Sequence, residues 1–74
     1  MTKQDIICAT IATATKRPRD TIVGATRLAE DLGLRSLKRV ELAVALEDKL
    51  GQKVTDAVVM TAHTVSDLFA VLGA

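Results

Sequence analysis

Glu30-Asp31-Leu32-Gly33-Leu34-Arg35-Ser36-Leu37-Lys38-Arg39-Val40-Glu41-Leu42 reads as a turn that presents one serine and then becomes an amphipathic helix. Gly33 punctuates the turn, and the apolar positions after Ser36 recur at helical spacing. The first backbone N–H groups of a helix have no partner inside it, and the aligned peptide dipoles place roughly half a positive charge at that end. An anion is stabilised there, so Ser36 stands where a phosphate group would be well anchored. Taken alone, the same serine also reads as an ordinary helix N-cap, a position that serine favours.

Outward from Ser36, the helix is expected to run from about Leu37 to Leu50, with Gly51 free to take the left-handed conformation past its end. Leu42, Leu46 and Leu50 recur at i, i+4 and i+8 and, with Ala43 beside them, form the row expected to face a core. Leu37, Val40 and Val44 form a second row displaced around the helix, which either widens the core stripe or faces a partner. Before Ser36, residues 16 to 34 read as a long connection with Pro18, Gly24 and Gly33 as punctuation and Ile22 and Leu28 as apolar pins. Thr2-Lys3-Gln4-Asp5 fits a capping box, opening a first helix through Ile6, Ile7, Ile11 and Ala14 that Pro18 ends. Thr55-Asp56 is expected to cap a short third helix or turn through Met60, and Thr64-Val65-Ser66-Asp67 is a second capping box whose helix ends before Gly73. The expectation is an all-α fold: a small four-helix bundle, one domain over residues 1–74, with a long loop between helices 1 and 2 and a short third helix.

Composition narrows the function classes. Seventy-four residues lie near the size at which one core only just suffices, so a large buried catalytic cleft is not expected. The apolar share is 49%, yet Phe69 is the only aromatic residue, so the core must come from Leu, Val, Ile, Ala and Met. A net charge of +1 is too balanced to announce nucleic acid or an anionic membrane. Cys8 alone forms neither an internal disulfide nor a metal site. No signal-peptide pattern and no membrane-spanning apolar run is present, so a cytoplasmic location is expected.

The segment from Leu28 to Leu42, with Glu30-Asp31-Leu32-Gly33-Leu34, Ser36-Leu37 and Val40-Glu41-Leu42, closely resembles the modification-site signature of acyl carrier proteins. The likeness extends to the approach at Ile22, to Ala45-Leu46-Glu47 and to Thr64-Val65. It implies the carrier fold, with 4′-phosphopantetheine transferred from coenzyme A onto Ser36 and acyl intermediates held on that arm as thioesters. A modifying transferase supplies the base and Mg²⁺, so no triad or metal site is required of the chain and no enzymatic activity is expected of it. The implied partners are a phosphopantetheinyl transferase and acyl-processing enzymes (synthases, acyltransferases and ligases) of fatty-acid, polyketide or specialised lipid biosynthesis. The implied docking surface comprises Arg35, Leu37, Lys38, Arg39, Val40, Glu41, Val44, Glu47, Asp48 and Met60, and a monomer is the default. Two alternatives stand beside this reading: an aminoacyl or peptidyl carrier, and an unmodified interaction module in which Ser36 is only a cap.

The chain departs from that family in its charges. Acyl carrier proteins commonly place an acid before the serine and an acidic face along the next helix, whereas here Arg35, Lys38 and Arg39 surround Ser36. Residues 35 to 50 hold four bases (Arg35, Lys38, Arg39, Lys49) against three acids (Glu41, Glu47, Asp48), which implies partners with acidic or neutral docking surfaces. A plainer reading makes the three cations a solvated face, or gives Arg35 the single task of neutralising the phosphate. Ala57, Val58, Val59 and Met60 replace a stretch often acidic in relatives, so some of them should be exposed or cover a pocket. Lys16-Arg17-Pro18-Arg19 is too short and too poor in aromatics for nucleic acid, His63 lacks ligand spacing and reads as a surface residue, and Cys8 should pack in or beside the first helix.

Overall fold

The Thr2 hydroxyl accepts from the Asp5 amide at 3.1 Å, and Asp5 Oδ2 accepts from the Thr2 amide at 3.0 Å. This capping box opens α1, Lys3–Thr15, in a computed structural model that describes residues 1–74. Two of the helix's threonines satisfy their hydroxyls locally, Thr10 on the Ile6 carbonyl at 2.7 Å and Thr15 on the Ile11 carbonyl at 2.8 Å. Ile7, Cys8, Ile11 and Ala12 form the buried stripe, while Ala14 lies outside it and is exposed. The helix ends short of Pro18. Lys16 takes the left-handed conformation at φ 56° as the helix closes, its amide on Thr13 O at 3.4 Å and the Arg17 amide on Ala12 O at 3.0 Å. Arg17, directly before Pro18, is the residue the proline keeps out of helical backbone. Pro18 then precedes a single 3-10 turn, Arg19–Thr21.

The long connection is ordered by burial and by backbone pairing. Ile22 and Leu28 are buried as anticipated, and Leu32 and Leu34 join them. Backbone bonds then stitch the loop to the start of the last helix: Leu28 N–H to His63 O at 2.9 Å, Val65 N–H to Thr26 O at 3.0 Å, and Ser66 N–H to Gly24 O at 2.8 Å. Residues 28–34 close like a helix end, with Gly33 at φ 64°, its amide bonded to Ala29 O and the Leu34 amide to Leu28 O, both at 2.9 Å.

Helix α2, Ser36–Leu50, buries Leu42, Ala43 and Leu46 fully and Leu50 in part, and Gly51 ends it at φ 64°. It packs against α1 on one side and, on another, against α3, Asp56–Thr61, which Thr55 caps and Val59 anchors to the core. Helix α4, Val65–Leu72, starts from the Thr64/Asp67 capping box and inserts Val65, Leu68 and Leu72. The result is a small all-α four-helix bundle in which every buried side-chain nitrogen and oxygen has a hydrogen-bond partner. No helix is long and apolar enough to cross a membrane.

Candidate functional site

Ser36 is the first residue of α2, not its cap. The cap position is Arg35, in extended conformation at φ −96° and ψ 177°, and no side chain hydrogen-bonds the exposed amides of the first turn. The serine side chain is exposed and has no structural duty as a cap, which corrects the reading of Ser36 as an ordinary N-cap. The first turn of α2 also contains no acid, so the positive end of the helix is uncompensated from within the helix.

Ser36 lines an open groove of about 1120 Å³. One side is the approach loop, with Ala29, Glu30, Gly33 and Leu34; the floor is α2, with Arg35, Ser36, Leu37 and Arg39; the far side is the end of α3, with Met60, Thr61, Ala62 and His63. The loop side is fixed by the turn at Gly33 and by Arg27, whose backbone amide and guanidinium both bond Asp31, at 2.8 Å and 2.9 Å. That guanidinium, together with the Arg27 amide, holds the Asp31 carboxyl below its ordinary pKa.

The cations around Ser36 divide into two kinds. Arg35 is exposed and has no ion-pair partner, and Lys38 is exposed beside Glu41 at 3.5 Å, a loose surface pair. Arg39 differs: it is half-buried, and its guanidinium donates to the carbonyls of Leu34 at 3.0 Å, Val59 at 3.1 Å, Met60 at 3.1 Å and Ala62 at 2.8 Å. It is therefore not a free surface charge. Glu47 is similarly engaged, its Oε1 accepting from the Val54 amide at 2.9 Å, and it fixes the connection between α2 and α3.

The second apolar row of α2 lies outside the core. Leu37 is 72% exposed and Val44 66%, with Val40 half-buried between them, so the row does not widen the core stripe. Met60, 39% exposed, borders the same side of the molecule through the groove, and Asp48 is exposed farther along α2. In α3, Val59 is buried and Val58 partly so, leaving Ala57 and Met60 to solvent.

His63 is exposed, as its sequence position implied, yet it borders the groove. Its backbone carries the local structure, with the amide on Asp67 Oδ2 at 2.9 Å and the carbonyl on the Leu28 amide. No group of three His, Cys, Asp or Glu side chains converges in the fold. Cys8 is buried in α1, where loss of solvation raises its thiol pKa. Sequence reasoning missed Thr61, Ala62 and His63 as neighbours of Ser36, since only the packing of α3 against α2 brings them there.

The description "phosphopantetheine attachment site" belongs to the family that matches this chain, over residues 5–72. No curated protein matches it.

Proposed function

This chain belongs to the phosphopantetheine attachment site family, whose members carry covalently attached 4′-phosphopantetheine, and from that premise we propose that Ser36 is the residue that holds the arm. The observation that carries this reading is an exposed serine at the first position of α2, with no capping role, beside a groove and at an uncompensated helix N-terminus. A phosphodiester formed on Ser36 Oγ would sit where free backbone amides and the unpaired Arg35 side chain offer positive potential, so the site fits the group. The arm supplies a terminal thiol, on which cargo travels as a thioester. The residues of this chain bind and present: α2 holds Ser36 outward, the loop and α3 shape the groove beside it, and Leu37, Val40, Val44 and Met60 offer apolar contact to an incoming enzyme.

The chain acts as an acyl carrier, not an enzyme, in a cytoplasmic pathway of fatty-acid, polyketide or specialised lipid biosynthesis. Its partners are a phosphopantetheinyl transferase and the synthases, acyltransferases or ligases that load and unload the thiol. Exposed Arg35 and Lys38 beside Ser36 favour partners whose docking surfaces are acidic or neutral.

Intact mass spectrometry tests the reading directly. Incubation with coenzyme A, Mg²⁺ and a broad-specificity transferase should add one phosphopantetheinyl group to the wild-type chain and none to Ser36→Ala. A mass gain retained in the variant would move the site elsewhere, and no gain with the cognate transferase would remove the carrier reading.

A further inference from the structure

Helix α3 has six residues, far too few to persist on its own, and its end is poorly provided for. It has no basic residue in its last turn, and Ala62 leaves it in extended backbone instead of a left-handed closure that would occupy the terminal carbonyls. Arg39 of α2 supplies what α3 lacks. Its Nη1 reaches the carbonyls of Val59, Met60 and Ala62 at 3.1, 3.1 and 2.8 Å, and its Nε reaches Leu34 O in the approach loop at 3.0 Å. The two hydrogens on Nη1 serve three acceptors, so at least one bond is shared. These are charge-assisted bonds, placed where the dipole of α3 also favours a cation.

Leu34, Met60 and Ala62 all border the groove that holds Ser36. Arg39 lies three residues after Ser36, on the same face of α2. We propose that Arg39 is a positioning residue for the Ser36 site: its one guanidinium fixes both α3 and the approach loop to α2, making them the rigid rim against which an enzyme acting at Ser36 docks. Lysine replaces it only in part, because a compact ammonium keeps the charge but does not span the loop carbonyl and the α3 carbonyls together.

Two measurements test this, and only the second rests on the carrier reading. Native-state amide exchange of the unmodified protein should show the α3 amides exchanging at least about tenfold faster in Arg39→Ala, the ratio expected for losing one charge-assisted bond, with α1 and α4 little changed. Arg39→Lys should fall between the two. Uniform acceleration in all helices, or none in α3, overturns the proposal. In transfer from coenzyme A to Ser36, Arg39→Ala should raise the transferase's KM for the carrier several-fold and leave kcat near wild type, because the hydroxyl on α2 stays in place while the rim loosens. A loss confined to kcat, or no change in either constant, overturns it as well. If the wild-type chain gains no mass with its cognate transferase, the carrier reading fails and the exchange data alone decide the role of Arg39.

Discussion

Ser36→Ala separates a serine that serves the fold from one that serves a partner. Its side chain caps nothing and is exposed at the first position of α2, so its removal breaks no capping hydrogen bond and opens no cavity. Alanine is the better helix former, and the expected change in unfolding free energy lies within about 0.5 kcal/mol of zero. A true capping serine costs about 1 kcal/mol when replaced by alanine. For a chain of this size, a loss of about 1 kcal/mol corresponds to roughly 4–8 °C in Tm, so the two cases are distinguishable. Thr64→Ala provides the reference: the Thr64 hydroxyl accepts from the Asp67 amide at 3.2 Å and should lose the full capping contribution of about 1 kcal/mol. Urea and thermal unfolding are followed by far-UV circular dichroism, since the chain has neither Trp nor Tyr. If Ser36→Ala falls as far as Thr64→Ala, the hydroxyl is structural and the reasoning that leaves it free for esterification is refuted.

Acid should weaken the fold through its hydrogen-bonded carboxylates. Backbone amides of His63 and Thr64 hold the Asp67 pKa below 3.8, the Thr2 amide does the same for Asp5, and the Arg27 side chain for Asp31. A lowered folded-state pKa contributes stability that is present above the ordinary value and lost as pH falls through the folded one. Asp67→Asn should therefore melt below wild type at neutral pH, with the gap closing in strong acid; a constant gap in thermal scans would assign the effect to shape instead of charge. Arg35→Asp with Lys38→Asp should speed modification by a transferase that prefers acidic carriers, and an unchanged rate in a mass-spectrometric time course would remove the electrostatic reading. Leu37→Asp with Val44→Asp should leave stability within about 1 kcal/mol, because both side chains are mostly exposed, yet weaken modification or acyl loading. Loss of the folded dichroism signal in that double variant would show instead that the row supports the core.

Local grammar makes the frame readable. Thr2, Thr55 and Thr64 mark helix starts by a side-chain oxygen that reaches an amide three residues on, and Gly51 marks an end by its positive φ. The end of α1 at Lys16 is less legible, because the closing residue there is a lysine at positive φ where glycine is the usual signal, and its bond to Thr13 O and that of Arg17 to Ala12 O are backbone only. Arg39 is indistinguishable in sequence from Arg35 and Lys38, since charge alone does not say which way a long side chain turns; three of its four acceptors lie 20 or more residues away. Glu47 looks like a docking-face acid for the same reason, and its bond to the Val54 amide spans 7 residues. The signature around Ser36 points to the serine, but the far side of its groove comes from α3, and no local pattern encodes that meeting.

The stitching of the approach loop to α4 joins two segments that leave the ribosome at different times. Gly24, Thr26 and Leu28 find their backbone bonds on Ser66, Val65 and His63, so no shorter fragment that lacks those residues holds the loop as the whole chain does. A ribosome releases Ser36 well before the residues that brace its approach. The surface around that serine is thus braced only after the first residues of α4 have emerged, late in the vectorial folding of this bundle.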